Sequence, residues 1–251
     1  RSTDTTYAWS PKDGQLLVNG VAEPKPMMNK VFLTVWDGGG NDTYNFSTYA
    51  NNLKVDLAPG AWTVTASAQL ADLGKGNLAR GNIANALLFH GSEASLIENA
   101  VGGSGNDTIS GNQAGNVLTG AAGDDKLDGR SGIDTAVFSG KASSYTRVEK
   151  SKGTWVVTDS RKTGGDGSDK LVDIEIVKFK DRTISIAPSK AKAQSHGSPL
   201  EAPHASKAHA DGGVDDDASA FPWSHGDRVE PGRSHHLEAA IQSVVEAAQF
   251  D

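Results

Sequence analysis

The sequence of 251 residues contains no cysteine. Disulfide bonds therefore cannot stabilise the fold, and thiolate-based metal sites are excluded. No apolar run reaches the length of a transmembrane helix, and the N-terminus lacks the basic and apolar regions of a signal peptide. The formal net charge of -7 argues against nucleic acids and anionic membranes as partners. We therefore expect the chain to bind no nucleic acid and to have no membrane span.

Sequence motifs of common enzyme active sites are missing as well. The zinc-binding motif H-E-x-x-H does not occur, because His235 and His236 precede Glu238 in the wrong order. The chain also has no G-x-S-x-G elbow, no Walker loop and no dinucleotide-binding fingerprint. Its aspartates are spaced for ligation of an ion rather than as an acid–base pair. We therefore expect no enzymatic activity from this chain.

What the sequence does have is a nine-residue repeat rich in glycine and aspartate. Four units run head to tail from Gly102 to Val137, and they read GGSGNDTIS, GNQAGNVLT, GAAGDDKLD and GRSGIDTAV. The pattern G-G-x-G-x-D-x-U-x is the calcium-binding nonapeptide of RTX proteins. A flexible linker rich in Gly, Asn and Asp would match the composition, but it would not explain the fixed phase of the repeat.

The spacing within one unit has a physical reason. Glycines at positions 1, 2 and 4 let the chain turn tightly and leave carbonyl groups exposed inside the loop. Calcium is a hard cation that takes about 6–8 oxygen ligands from carboxylates and carbonyls, and position 6 supplies the carboxylate. Positions 7 to 9 form a short strand whose side chains alternate, so position 8 points inward. The predicted inward residues are Ile109, Leu118, Leu127 and Ala136.

Two units should make one full turn of a parallel β-roll, so that units two apart stack. Asp107 would then lie over Asp125, and Asn116 over Asp134. The first edge offers calcium two carboxylates, whereas the second offers one carboxylate and one amide and should bind more weakly. Without calcium the like charges crowd each edge, so we expect the roll to fold on binding the ion. A Kd of roughly 10⁻⁴–10⁻³ M, common in extracellular modules, would leave the sites empty in the cytosol.

The segment 37–45 (DGGGNDTYN) is a further copy of the motif, with Asp37 in place of the first glycine. Asp42 takes position 6, and Tyr44 takes the inward position 8. An ordinary tight hairpin is the alternative for this segment. Farther along the chain the pattern is less regular, and a short helix is predicted near residues 70–73.

The segment 164–172 (GGDGSDKLV) fits the nonapeptide at every defined position but stands apart from the array. It lies between two predicted strands, and we interpret it first as a hairpin loop. Asp166 and Asp169 are its candidate calcium ligands.

These patterns together predict an all-β fold. It comprises a parallel β-roll of calcium-binding nonapeptide repeats flanked by antiparallel β segments, with a disordered tail and a C-terminal helix. The amphipathic periodicity of that helix fits an uncleaved secretion signal and equally fits a docking helix. Because the chain begins at Arg1 rather than Met, it is expected to be a piece of a longer polypeptide. The predicted divisions are 1–137 with the repeat array at 102–137, a β cap at 138–187, a disordered linker at 188–234 and the helix at 235–251.

Two stretches closely resemble the C-terminal region of the serralysin family, which comprises secreted bacterial zinc metallopeptidases that carry an RTX β-roll. The stretches are KVFLTVWDGGGNDTYNFSTYANNLKVDLAPGAW and SLIENAVGGSGNDTISGNQAGNVLTGAAGDDKLDG. The resemblance spans residues 5–137, and the later block from DTAVFSG to SDKLVDIEIVKFKDRTI looks like the closing cap of many RTX proteins.

The resemblance implies a secreted, extracellular module that folds on calcium after type I secretion and supports an upstream peptidase domain. Its cofactor would be Ca²⁺, and its partners would be the peptidase domain and the type I secretion machinery. A free-standing secreted RTX protein that serves in binding or adhesion is the alternative.

The resemblance also implies a set of calcium ligands composed of aspartates and loop carbonyls. Asn116 departs from the motif at position 6, and Ala136 departs from it at the last inward position, so the second edge and the final turn match the family less well. The implied calcium-binding residues are Asp37, Gly39, Asp42, Gly102, Gly103, Ser104, Gly105, Asp107, Asn116, Gly120, Ala122, Gly123, Asp125, Gly129, Asp134 and Asp169.

Overall fold

The computed structural model describes residues 2–186. The linker predicted at 188–234 and the helix predicted at 235–251 lie outside these residues. The described part is all-β, as predicted, and its helical turns are short 3-10 segments. None of its helices is long and apolar enough to cross a lipid bilayer.

Eighteen strands run through the described residues, most of them only three residues long. The strands are β1 (Thr6–Trp9), β2 (Leu16–Val18), β3 (Val21–Ala22), β4 (Leu33–Val35), β5 (Thr43–Asn45), β6 (Lys54–Asp56), β7 (Trp62–Thr63), β8 (Ile83–Asn85), β9 (Asn99–Val101), β10 (Thr108–Ser110), β11 (Val117–Thr119), β12 (Lys126–Asp128), β13 (Thr135–Val137), β14 (Tyr145–Ser151), β15 (Thr154–Asp159), β16 (Ser168–Val172), β17 (Ile176–Lys178) and β18 (Thr183–Ser185). The 3-10 turns are Met27–Asn29, Ser67–Gln69, Phe89–Gly91, Glu93–Ser95 and Ala142–Ser144. The helix predicted near residues 70–73 is therefore wrong, because the nearest helical turn ends at Gln69.

Parallel strands of successive coils stack into two long sheets. The first sheet has the order β18-β17-β13-β11-β9-β5-β1-β2-β3, and the second has the order β14-β15-β16-β12-β10-β6. Ile109 pairs with Leu127 across β10 and β12, and Leu118 pairs with Ala136 across β11 and β13. Units two apart therefore stack, as the sequence predicts for a parallel roll.

Antiparallel strands flank the parallel stack. At one end β2 and β3 pair antiparallel beside β1, and at the other end β14, β15 and β16 pair antiparallel, as do β17 and β18. The cap is nevertheless continuous with the roll, because β16 pairs parallel with β12 and β17 pairs parallel with β13. A third, small sheet has the order β4-β8-β7.

The two isolated motif copies continue the same stack. The hairpin alternative for residues 37–45 is wrong, because β4 belongs to the small sheet whereas β5 lies between β1 and β9 in the first sheet. The hairpin predicted around residues 164–172 is confirmed by the antiparallel pairing of β15 with β16. The same segment also forms a coil of the roll, since Leu171 pairs with Leu127 in parallel register.

The core runs as a single column between the two sheets. The predicted inward residues Ile109, Leu118, Leu127 and Ala136 are at most 1% exposed, and Tyr44 is fully buried. Below the repeats the column widens into an aromatic cluster, in which Trp9 packs with its ring centroid 5.3 Å from those of Tyr44 and Phe46. Burying one such side chain stabilises the fold by about 1.5–3 kcal/mol.

Candidate calcium-binding edges

The residue at position 6 of each unit stands just before a parallel strand and faces its counterpart in the next coil. Along one edge of the roll, the amide of Asp107 donates to Asp125 Oδ1 at 2.7 Å, and the amide of Asp125 donates to Asp169 Oδ1 at 2.8 Å. Asp107 Oδ1 accepts the amide of Leu53 at 2.8 Å in turn. We call this row of Asp107, Asp125 and Asp169 the first edge.

The opposite edge, which we call the second edge, carries a longer row of the same kind. The amide of Thr5 donates to Asp42 Oδ1 at 2.7 Å, and the amide of Asp42 donates to Glu98 Oε2 at 2.7 Å. Farther along, the amide of Asn116 donates to Asp134 Oδ1 at 2.7 Å, and the amide of Asp134 donates to Glu175 Oε2 at 3.0 Å. The row consists of Asp42, Glu98, Asn116, Asp134 and Glu175.

Glu98 and Glu175 hold position 6 of their coils, and the sequence reasoning missed both. Glu98 lies nine residues before Asp107, so extending the repeat phase backward by one unit would have found it. Glu175 lies only six residues after Asp169, because residues 173–175 cross between the sheets without a full nonapeptide loop. The nine-residue phase of the repeat therefore does not predict Glu175 as a position-6 residue.

Glycine at position 1 leaves room for the carboxylate of its own loop. A Cβ on Gly120 would overlap Asp125 Oδ2, and a Cβ on Gly102 would overlap Asp107 Oδ2. At position 4 the constraint is the neighbouring coil, since a Cβ on Gly123 would overlap the carbonyl of Gly105. Gly123 also has φ +119, which L side chains rarely adopt. The loops thus stack closely, with their carbonyl groups crowded beside the carboxylates.

Asn116 satisfies its loop without a charge. Its Oδ1 accepts the amide of Asn112 at 2.7 Å, and its Nδ2 donates to the Glu98 carbonyl at 2.9 Å and to Asn112 Oδ1 at 3.0 Å. An aspartate could not make the two donor contacts. The side-chain amide of Asn116 therefore provides a positive partner for two oxygens, the Glu98 carbonyl and Asn112 Oδ1, as a bound cation would.

Burial raises the pKa values of the three aspartates of the first edge. Asp107, Asp125 and Asp169 are each at most 3% exposed. Burial raises the pKa of Asp125 to about 7 and the pKa of Asp169 to about 8, and it also raises the pKa of Asp107. On the second edge, burial raises the pKa of Asp42 and the pKa of Glu98. A low dielectric around ionised carboxylates favours either a proton or a bound cation.

The donor set fits calcium. Asp125 Oδ2 and Asp42 Oδ2 are buried and accept no hydrogen bond from any residue in the described part of the chain. Within residues 2–186, no three His, Cys, Asp or Glu side chains gather into a metal-binding group. An ion at either edge would therefore combine one or two carboxylates with several loop carbonyls, which is an all-oxygen set suited to a hard cation.

The loop 37–42 brings two of the predicted ligands into one buried turn. Asp37 accepts the Tyr7 hydroxyl at Oδ2 at 2.6 Å and the Gly38 amide at Oδ1 at 2.6 Å. Asp37 and Asp42 are both fully buried. The turn therefore resembles the loops of the regular array in burying its carboxylates, although Tyr7 holds one of them.

Asp166 is engaged away from the edges. Its carboxylate accepts the Ser139 amide at 2.7 Å, the Ser139 hydroxyl at 2.5 Å and the Tyr145 hydroxyl at 2.5 Å. Arg161 lies 3.3 Å from its Oδ1. Asp166 is thus a buried anchor of the cap, and of the two candidates in its segment only Asp169 joins the stacked row.

Comparison with known proteins agrees with this architecture. A sequence model described as the peptidase M10 serralysin C terminal matches residues 1–187 of the 251. Metallopeptidase AprA of Pseudomonas marginalis is 37% identical over 118 residues, which are 47% of this chain and 20% of that protein. Serralysin C of Dickeya chrysanthemi is 36% identical over 109 residues, which are 43% of this chain and 18% of that protein.

The match to these relatives concerns a limited part of them. Serralysin of Photorhabdus luminescens is 34% identical over 120 residues, again 47% of this chain and 20% of that protein. The chain thus spans about a fifth of the length of the curated relatives it matches. With the family match covering most of the sequence and the all-β roll in place, the chain belongs to the family of serralysin C-terminal regions.

Proposed function

We propose that this chain is the non-catalytic, calcium-binding module of a secreted serralysin-like metallopeptidase. The observation that carries the proposal is the stacking of buried carboxylates along both edges of the roll. In particular, Asp125 Oδ2 lies against Gly120 at the start of its loop and accepts no hydrogen bond from the described residues. A cation that shares these oxygens removes the cost of burying an ionised carboxylate.

The two edges would hold the ion with different residues. At the first edge we assign Asp107, Asp125 and Asp169 together with carbonyls of the glycine loops at 102–105 and 120–123. At the second edge we assign Asp42, Glu98 and Asp134, where Asn116 lowers the charge. The bound calcium supplies positive charge between stacked loops, and the protein's own part is to align the carboxylates and exclude water from them.

Calcium binding would couple to folding, because the coils bury few apolar atoms and hold many carboxylates. Low cytosolic calcium would leave the chain unfolded for type I secretion, and extracellular calcium would then fold it. We place the secretion signal in the C-terminal tail and the mature protein outside the cell. The relatives named metallopeptidase and serralysin support a peptidase domain upstream, since the chain matches only a fifth of their length.

Calorimetric titration of the purified chain with calcium tests the assignment directly. We expect saturable binding with a Kd of roughly 10⁻⁴–10⁻³ M, with magnesium binding far more weakly because it needs a smaller, near-octahedral cage. Absence of calcium binding under conditions where the chain is soluble would overturn the proposal. A protease assay of the same chain is the companion control, and cleavage of a protein substrate would contradict the non-catalytic role.

A further inference from the structure

Exposed apolar side chains are concentrated near the start of the chain. Of the twelve large exposed hydrophobic residues in the described part, nine lie between residues 21 and 89. The coils of the repeat array and the cap contribute the remaining three. Contiguous apolar surface of this kind commonly marks an interaction site.

The outer side of the small sheet is the best-formed part of this surface. Phe32 is 54% exposed and Trp36 is 62% exposed. Thr34 pairs with Ala84, and Ala84 pairs with Trp62, so these three side chains share one face of the sheet. Phe32 stacks on Trp62 with ring centroids 5.7 Å apart and planes inclined by 21°. The exposed Phe32 ring and the half-buried Trp62 ring form an aromatic surface on this face of the small sheet, whereas Ala84 is buried.

Leu87 is exposed at the same end of the sheet as Trp36. The Val35 carbonyl accepts the Ala86 amide at 3.0 Å, so the residues that follow, Trp36 and Leu87, leave the sheet at the same end. Leu87 is 74% exposed, although its side chain lies over Gly60. We call the set of Phe32, Thr34, Trp36, Trp62, Ala84 and Leu87 the apolar face.

We propose that the apolar face is the docking surface for the domain that precedes this chain in its parent polypeptide. The proposal rests on the proposed function and assigns the surface through which the module would support its peptidase domain. The relatives are about five times as long as the matched region, and the family model describes a C-terminal part. Most of the parent molecule would therefore lie outside this module, and the domain that precedes it would lie next to one of its surfaces.

The path of the chain favours packing at this face. A Cβ on Gly40 would lie 2.6 Å from the Thr3 backbone, and the Asn41 amide donates to Asp4 Oδ1 at 2.9 Å. The first described residues thus run against the loop that begins directly after Trp36. A domain joined ahead of them would start beside the loop that connects Trp36 to β5.

The face also has the chemistry of an interdomain contact. Its members carry no charge, and Arg80 lies over the Trp62 ring at 6.0 Å, on the border of the patch. An aromatic centre with a cationic rim fits a partner surface that is apolar in the middle and acidic at its margin. Other occupants would be a second copy of this chain or a glycan stacked on the rings, and the test separates them.

Hydroxyl-radical footprinting tests the proposal on the chain alone and on the polypeptide encoded by the complete reading frame, both in calcium. We expect oxidation of Phe32, Trp36 and Leu87 to fall several-fold in the longer polypeptide, with Val148 in the cap unchanged. Equal oxidation in both proteins would overturn the proposal, as would a reading frame without an upstream domain. Protection already present in the chain alone, with a matching dimer mass, would assign the face to a second copy instead.

A matched pair of variants tests, by the same oxidation measurement, whether the contact lies at the apolar face. Thr34 and Thr146 are both exposed strand residues, but only Thr34 lies in the apolar face. We expect Thr34→Arg to restore oxidation of Trp36 in the longer polypeptide and Thr146→Arg to leave it protected. Addition of oligosaccharides to the chain alone is the arm for a glycan, and protection by them would contradict the proposal.

Failure of the docking proposal can be told apart from failure of the calcium assignment. Calorimetric calcium binding by the chain alone tests the proposed function whether or not the face is covered. Calcium binding together with an uncovered face would overturn only the docking proposal. A covered face without calcium binding would overturn only the role of the ion.

Discussion

Burial raises the pKa of Asp125 and thereby sets the pH at which its carboxylate is ionised. Its Oδ1 accepts the Asp107 amide, while its Oδ2 accepts nothing from the described residues. The exposed neighbour Asp124 accepts the Ser168 amide instead. Two adjacent aspartates of one loop therefore differ in environment, in agreement with the repeat phase, which assigns position 6 to Asp125 and not to Asp124.

Replacing Asp125 with asparagine should weaken calcium binding without breaking the loop. The amide oxygen can still accept from Asp107, but a charged ligand is lost, so we expect the calcium midpoint to rise about tenfold, since ligand charge tunes calcium affinity. Calorimetry measures this shift. Asp124→Asn is the matched control and should leave the midpoint near that of the parent chain, and equal effects of the two substitutions would refute the assignment.

The raised pKa values predict how stability depends on pH when calcium is removed. Ordinary aspartate has a pKa of about 3.9 in an unfolded chain, whereas burial raises the pKa of Asp125 to about 7 and that of Asp169 to about 8. A raised carboxyl pKa favours the protonated form in the fold. Stability is therefore greatest below the unfolded pKa and falls as pH rises toward the folded values.

In chelator, circular dichroism should thus show more residual β structure at about pH 5 than at about pH 8. Calcium should oppose this trend, because it stabilises the ionised carboxylates and competes with protons. The gain of β signal on adding calcium should accordingly be larger at about pH 8. A gain that does not change with pH would show that Asp125 and Asp169 are not linked to the ion.

At the scale of elements, Arg130 ties three coils together. Its guanidinium pairs with both carboxylate oxygens of Asp56 at 2.7 and 2.9 Å and donates to the Gly111 carbonyl at 2.7 Å. Strand β10 lies between the strand of Asp56 and the strand of Asp128, because Ser110 pairs with both residues. Arg130 lies just beyond the strand that ends at Asp128. The side chain therefore reaches across two strand spacings of about 4.8 Å each.

Arg130→Lys should lose the bidentate geometry and destabilise the fold by about 1 kcal/mol, because the pair is only partly buried. Because the contact involves no ion, the loss should be the same at two calcium concentrations that both keep the chain folded. Urea unfolding at the two concentrations measures it. Arg182→Lys, which changes an exposed contact with Asp181, should have little effect, and a loss for Arg130→Lys that changes between the two concentrations would contradict the clamp.

The cap depends on a buried polar cluster around Tyr145. Its hydroxyl donates to Asp166 and accepts from the Gly140 amide and from Arg161, each at 2.5–2.8 Å. Tyr145→Phe leaves these groups without that partner, so we expect a loss of about 1–3 kcal/mol. Hydrogen exchange should accelerate in β14–β16 and much less in β1 and β5. Uniform acceleration would instead show that the cap and the first coils open as one unit.

At the scale of the whole molecule, regular periodicity determined what could be predicted. The stacking of Asp107 on Asp125 and the inward column of Ile109 and Leu118 follow from a nine-residue phase and are confirmed. Glu98 was accessible to the same argument, because it keeps the phase even though its loop lacks the glycines. The aspartate edge itself as a calcium site stays a prediction.

Features outside the phase could not be derived in this way. The continuous apolar pattern of residues 170–179 (KLVDIEIVKF) belongs to two strands, because residues 173–175 carry the chain from one sheet to the other. His90 is exposed and stacks on Phe89 with ring centroids 4.1 Å apart, which no periodic pattern indicates. Alternating apolar residues indicate β4 and β7 as strands, whereas β8 lies in the less regular stretch that follows, so the small sheet is visible only in the structure.

The central claim is that calcium folds this roll. Circular dichroism of the purified chain during a calcium titration tests it most directly, with magnesium as the control ion. We predict a cooperative gain of β signal at roughly 10⁻⁴–10⁻³ M calcium and none with magnesium at the same concentrations. An unchanged spectrum together with an unchanged melting temperature would contradict the account.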